Sequence, residues 1–131
     1  MGTLIFLLDT CVFIWTCVAP ERLSQRACEA LSEGDAELLL SDASVLEVAL
    51  KWSAEKLTLP KPPRSWIEDQ AAAWSITCIP ISRETIYRSA ELPQVHKDPF
   101  DRLIVAAALE VGATIITPDE AVQRYEAPWL W

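Results

Sequence analysis

Three short apolar runs in this chain each end abruptly in a hydroxyl and a carboxylate, and that repeated ending limits the fold more than any other feature. Thr3 to Leu8 closes on Asp9-Thr10, Glu37 to Leu40 on Ser41-Asp42, and Ala113 to Ile116 on Thr117-Pro118-Asp119. Runs of this kind fit strands buried on both faces, the situation of a parallel sheet covered by helices. Ile76 to Ile81 is a fourth candidate strand, which Pro80 marks as lying near an edge, and Ala127 to Trp131 reads as a final edge strand.

Between the strands the spacing turns helical. Cys11 to Val18 forms a short apolar helix, and Pro20-Glu21-Arg22 opens a second that reaches about Ser32, with Leu23, Ala27, Ala30 and Leu31 inward and Gly34 as its stop. Val45, Leu46, Ala49, Leu50 and Trp52 keep helical spacing to about Lys56, behind a cap at Ser41 or Asp42. After the stiff connector Leu59 to Pro63, Arg64 to Trp74 turns Trp66, Ile67, Ala71 and Trp74 to one side, and Ser82 caps a helix from Arg83 to Leu92. Asp98-Pro99 starts the next helix, apolar all round from Leu103 to Leu109 and ended by Gly112, and Asp119 to Tyr125 makes one short helix more. This alternation predicts a three-layer α/β/α architecture with a central, mainly parallel sheet and right-handed crossovers. At 131 residues the expectation is a single domain, 1–131.

Met1 to Leu8 lacks the basic leader of a signal peptide, Phe6 stands where myristoylation at Gly2 needs Ser or Thr, and no apolar run is long enough to span a membrane. A cytoplasmic protein with no membrane attachment is expected. Cys11, Cys17, Cys28 and Cys78 lack metal-ligand spacing and read as buried small hydrophobes, while Trp15, Trp52, Trp66 and Trp74 read as core. The net charge of −8 argues against a long electrostatic grip on nucleic acid. It leaves room for an enzyme whose acids surround a cation that reverses the local sign.

Ligands of open parallel sheets bind outside the carboxyl ends of the strands. Asp9, Ser41-Asp42, Ser82 and Thr117 to Asp119 fall at that edge, and the helices carrying Glu47 and Asp101 begin there. Asp98 is a natural N-cap, Pro99 suits the first helical position, and Asp101 then takes the third. Glu47, the single charge between Ala43 and Leu50, must reach a rim or be held by something positive. Carboxylates gathered in one cleft repel unless they retain protons or bind a cation. Oxygen-only ligation points to Mg²⁺ or Mn²⁺, which can activate water and stabilise charge on a phosphoryl oxygen. An aspartyl-phosphate phosphatase would also place a nucleophile at Asp9, but such enzymes carry a second Asp two residues on, where Cys11 stands.

Leu8-Asp9-Thr10, then Ser44-Val45-Leu46-Glu47-Val48-Ala49, then Asp98-Pro99-Phe100-Asp101-Arg102 with its Ala-rich continuation, then Thr117-Pro118-Asp119 together resemble a PIN domain. More narrowly, the chain resembles a VapC-type toxin ribonuclease over essentially its whole length. The resemblance implies a Mg²⁺- or Mn²⁺-dependent endoribonuclease, a hydrolase of RNA phosphodiester bonds and the toxin of a type II toxin–antitoxin system. It implies Asp9, Glu47, Asp101 and Asp119 as catalytic metal ligands, with Asp98, Thr10 and Thr117 as auxiliary residues. Asp101 rather than Asp98 stands at the family's distance before Ile104-Val105-Ala106. Arg102, Lys97 and Lys51 are candidates for phosphate contacts, and His96 is expected at the surface or at a helix end. Implied partners are a cognate antitoxin, the RNA substrate and a second copy in a homodimer; the alternative is a non-catalytic PIN-fold binding module.

Overall fold

Ile5–Leu8 (β1), Glu37–Ser41 (β2), Ile76–Ile79 (β3), Thr114–Ile116 (β4) and Trp129–Leu130 (β5) form one sheet in the order β3-β2-β1-β4-β5, with every neighbouring pair parallel. This is a computed structural model describing residues 3–131; Met1 and Gly2, and with them the lipidation reading at Gly2, lie outside the described residues. Strand side chains alternate between the two faces. Phe6, Leu8, Leu38, Leu40, Ile76 and Ile116 enter one core, and Leu7, Leu39 and Ile115 the other. That double burial is why these strands read as unbroken apolar runs.

Helices Thr10–Val18 (α1), Gln25–Leu31 (α2), Asp42–Ser53 (α3) and Pro63–Ala73 (α4) send Val12, Phe13, Ala27, Val48 and Trp66 into the first core. There Phe13 and Trp66 meet edge to face at 5.7 Å between ring centroids. Arg83–Glu91 (α5) packs on Pro99–Val111 (α6), whose Ile104, Val105, Ala107 and Ala108 fill the second core together with Val122 of Glu120–Gln123 (α7). The three-layer α/β/α expectation holds. Gly112 ends α6 at φ +69°, a left-handed conformation that glycine adopts without steric cost.

Local departures have local causes. The expected helix from Pro20 to Ser32 is two pieces, a 3₁₀ turn at Pro20–Arg22 and then α2, because extended Leu23 and Ser24 intervene and the Ser24 hydroxyl caps α2 through the Ala27 N–H. Ser41, not Asp42, caps α3, which stops at Ser53 rather than Lys56 as the chain turns through a positive φ at Glu55. Pro80 ends β3 at Ile79, and β3 is indeed an edge strand. Cys28 and Cys78 are exposed rather than buried, and Cys11 and Cys17 are only half-buried. Of the four tryptophans expected inside, Trp66 is buried, Trp15 is half-buried against Trp131 and under the Arg22 guanidinium, and Trp52 and Trp74 are exposed. Helical spacing marks an apolar stripe but not whether another element covers it.

Candidate metal centre

The chain leaves β1 toward β2 on one side of the sheet, while β4 lies on the other, so the carboxyl ends of β1 and β4 flank a topological switch point. Leu8 and Ile116 are register partners, which sets Asp9 beside Thr117. Asp9 is the N-cap of α1: Oδ1 accepts the Thr10 N–H at 2.8 Å, and Oδ2 accepts the Thr117 hydroxyl at 2.7 Å. The same Thr117 oxygen accepts the Asp119 N–H at 3.0 Å, and Asp119 Oδ1 caps α7 through the Ala121 N–H at 2.9 Å. Thr10 donates its hydroxyl to buried Ser44 at 2.8 Å, fastening the start of α1 to α3.

One hydroxyl thus joins two carboxylate-bearing turns. Thr117→Val is expected to cost about 1–3 kcal/mol, the range for an unsatisfied buried partner, and to push the Asp9 carboxyl further up. Urea unfolding and an NMR titration of the Asp9 carboxyl check both effects. An unchanged Asp9 titration would show that the hydroxyl does not stabilise the charged form.

Asp98 and Asp101 share the first turn of α6 but do different work. Asp98 Oδ1 accepts the N–H groups of Phe100 at 2.8 Å and Asp101 at 3.2 Å, a full N-cap. Asp101 at the third helical position is buried, and its Oδ2 lies 2.9 Å from His96 Nε2. One oxygen each from Asp9, Asp101 and Asp119 lie within 4.8 Å of one another. Ligand atoms of His96, Asp98 and Asp101 form a second such triplet. Glu47 lines the same cleft of about 230 Å³ but stands outside both triplets, paired with Lys51 at 2.9 Å. That pairing is the positive partner its sequence position demanded.

Burial is the main force raising the Asp9 carboxyl, and the charges of Asp119 and Glu47 add to it; the bonds from Thr117 and Thr10 pull it back down. Asp101 is pushed up to about 7, first by burial, then by Asp9, Asp98 and Asp119, with the His96 bond opposing. Cys11, also on the cleft, is pushed up to about 12 by burial and then by the Asp9 charge, so it is a thiol rather than a thiolate nucleophile at neutral pH. The N-terminal ends of α1, α6 and α7 all start at these acids and offset part of the repulsion.

Such a donor set fits a hard divalent cation. Oxygens bound to Mg²⁺ at 2.0–2.1 Å lie at most about 4.2 Å apart. The three oxygens lie within 4.8 Å of one another, so small side-chain adjustments would bring them to a shared cation.

A PIN domain model matches residues 6–128. The chain belongs to the PIN domain family. Ribonuclease VapC22 of Mycobacterium tuberculosis is 32% identical over 123 residues, 93% of this chain and 92% of that protein. Among solved structures, VapBC2 from Rickettsia felis bound to a DNA fragment from its promoter superposes with a TM-score of 0.72 at 16% identity, covering 97% of this chain and 98% of that one. DNA-bound VapBC from Salmonella typhimurium gives 0.69 at 17% identity, with 98% and 97% covered. At these identities the two structures show that this chain shares their fold.

Of the three cations the sequence offers for phosphate contacts, one lines the acidic cleft and two lie elsewhere. Arg102 is buried, and its guanidinium donates to the carbonyls of Ser89, Leu92, Pro93 and His96 and to the Tyr125 hydroxyl. Those bonds engage all three of its nitrogens within the protein and tie the guanidinium to the α5–α6 segment. Lys97 is exposed and borders a separate cleft with Ile86, Pro99 and Leu103. Lys51, half exposed, is the one of the three that lines the acidic cleft. The sequence pattern places His96 at the surface or at a helix end and gives Ser44 as part of the Ser44–Ala49 motif, with no role of its own. His96 stands two residues before the α6 N-cap, where the turn folds it back over Asp101, and Ser44 sits one helical turn before Glu47.

Proposed function

We propose that this PIN domain is a Mg²⁺-dependent endoribonuclease, the toxin of a type II toxin–antitoxin pair acting in the cytoplasm, with residues 1–131 forming one catalytic domain. The observation that carries the reading is the meeting of Asp9, Asp101 and Asp119, from three separate elements, at the switch point of the sheet. A bound divalent ion supplies Lewis acidity for a water nucleophile and for charge developing on a phosphoryl oxygen. Asp9, Asp101 and Asp119 hold the ion, with Mn²⁺ able to replace Mg²⁺ on the same oxygens. Glu47 completes the ligand set from α3 and holds Lys51 at the mouth of the cleft, where the ammonium can meet an RNA phosphate. Thr10 and Thr117 fix the turn that carries Asp9.

The 32% identity to a named ribonuclease VapC supports the RNA substrate, and the likeness to VapBC complexes supports an antitoxin partner. A homodimer is the assembly we expect. No helix among the described residues is long and apolar enough to cross a membrane, in keeping with the proposed location. Purified protein is expected to cleave RNA with Mg²⁺ or Mn²⁺, to stop in EDTA, and to be silenced by the cognate antitoxin. Cleavage undiminished by chelation or by Asp9→Asn would overturn the reading.

A further inference from the structure

Arg102 and Tyr125 form a clamp beneath the segment that joins α5 to α6. The guanidinium donates to Ser89 O at 3.1 Å, Leu92 O at 2.9 Å, Pro93 O at 2.9 Å and His96 O at 3.2 Å. The Tyr125 hydroxyl accepts from Arg102 Nη1 at 3.1 Å and donates to His96 O at 3.3 Å. A buried guanidinium needs compensation for its lost water, and here it comes from four carbonyls and the Tyr125 hydroxyl, two of the carbonyls lying at the end of α5, where a cation is favoured. The His96 backbone is therefore held from two sides, and its half-buried ring reaches Asp101.

When Asp101 is ionised, the state in which a carboxylate ligates a cation, it only accepts, and the tautomer with the proton on Nε2 donates to Asp101 Oδ2. Among the described residues Asp101 Oδ1 has no protein partner, so the hydrogen bond distinguishes the two oxygens. Ligating carboxylates whose free rotation is removed in this way bind metal more tightly, and loss of such an outer partner typically costs 10–100-fold in affinity or activity.

We infer that His96 is a positioning residue of the centre: it holds one oxygen of Asp101 and so presents the other, with Asp9 and Asp119, to the divalent cation. The clamp of Arg102 and Tyr125 carries this arrangement from the α5–α6 segment to the cleft. The inference rests on the metal-centre reading above and adds a residue that the acidic motifs do not contain.

The test is calorimetric titration of Mn²⁺ into wild type, His96→Gln and His96→Ala at one fixed pH, with RNA cleavage followed against Mn²⁺ concentration and thermal unfolding recorded without metal. The Gln amide nitrogen reaches about as far as Nε2 and keeps a donor. His96→Ala is expected to weaken Mn²⁺ binding by about 10-fold and to recover most of its cleavage rate at saturating Mn²⁺. His96→Gln is expected to stay within about 3-fold of wild type, with both variants unfolding close to the wild-type temperature. Equal Mn²⁺ affinity in all three proteins would overturn the positioning role while leaving the metal centre intact. Equal, severe loss in both variants would overturn it as well, by making His96 a ligand. Failure of the wild type to bind Mn²⁺ would overturn the metal-centre reading on which the inference stands.

Discussion

Asp101→Asn is expected to cut RNA cleavage at saturating Mg²⁺ by about 10²–10³-fold and, without metal, to make the protein harder to unfold at pH 8. The two effects share a cause. Asp101 is buried beside Asp9, Asp98 and Asp119, and its carboxyl is raised from 3.8 to about 7. The unfolded chain releases this proton near pH 4, whereas the folded protein keeps it to about pH 7. Between those values the native state binds more protons, so stability falls as pH rises. The contribution is fully present below about pH 4 and is lost as pH passes 7, a change of a few kcal/mol at about 1.4 kcal/mol per pH unit. In EDTA, the wild-type unfolding temperature should drop by several degrees between pH 5 and pH 8, and Asp101→Asn should flatten that slope. Added Mg²⁺ should stabilise the wild type more at pH 8 than at pH 5, because the cation competes with the proton. A wild-type slope identical to that of the variant would show that burial and the neighbouring carboxylates do not raise the Asp101 carboxyl.

Arg102→Met is expected to destabilise the protein by about 3–5 kcal/mol, lowering the unfolding temperature by roughly 10–20 °C. The substitution strips donors from the part-buried carbonyls of Ser89, Leu92, Pro93 and His96 at once, and each acceptor left unpaired away from water is costly. Arg102→Lys should rescue little of this, since one ammonium cannot reproduce a planar fork that reaches several acceptors. Thermal denaturation of the three proteins checks it. A phosphate-contacting arginine would behave in the opposite way, with stability kept and RNA binding weakened.

That contrast marks where the sequence stopped being legible. The strand ends could be read because strands buried on both faces leave continuous apolar runs, and Asp9 and Asp119 terminate two that lie side by side. Asp98 and Asp101 could be separated because capping fixes the geometry of a first helical turn. Nothing in the pattern revealed that the chain from Leu92 to His96 folds over Arg102, since that contact joins α5, α6 and Tyr125 across loops without periodicity. His96 escaped for the same reason: its bond to Asp101 depends on that loop. Trp52 and Trp74 show the limit of helical spacing, which places a stripe on a helix without saying whether a neighbour covers it. The exposed Cys28 and Cys78 show that composition alone does not fix burial.

The central claim is that Asp9, Asp101 and Asp119 hold a divalent cation. Titration of Mn²⁺ into wild type and Asp9→Asn at pH 6.5, in two buffers of different ionisation enthalpy, tests it most directly. Asp101 is pushed up to about 7, so wild-type binding should release protons and its heat should change with the buffer. Asp9→Asn should weaken binding by at least about 10-fold. Absence of wild-type binding, or binding left unchanged by Asp9→Asn, would contradict the account.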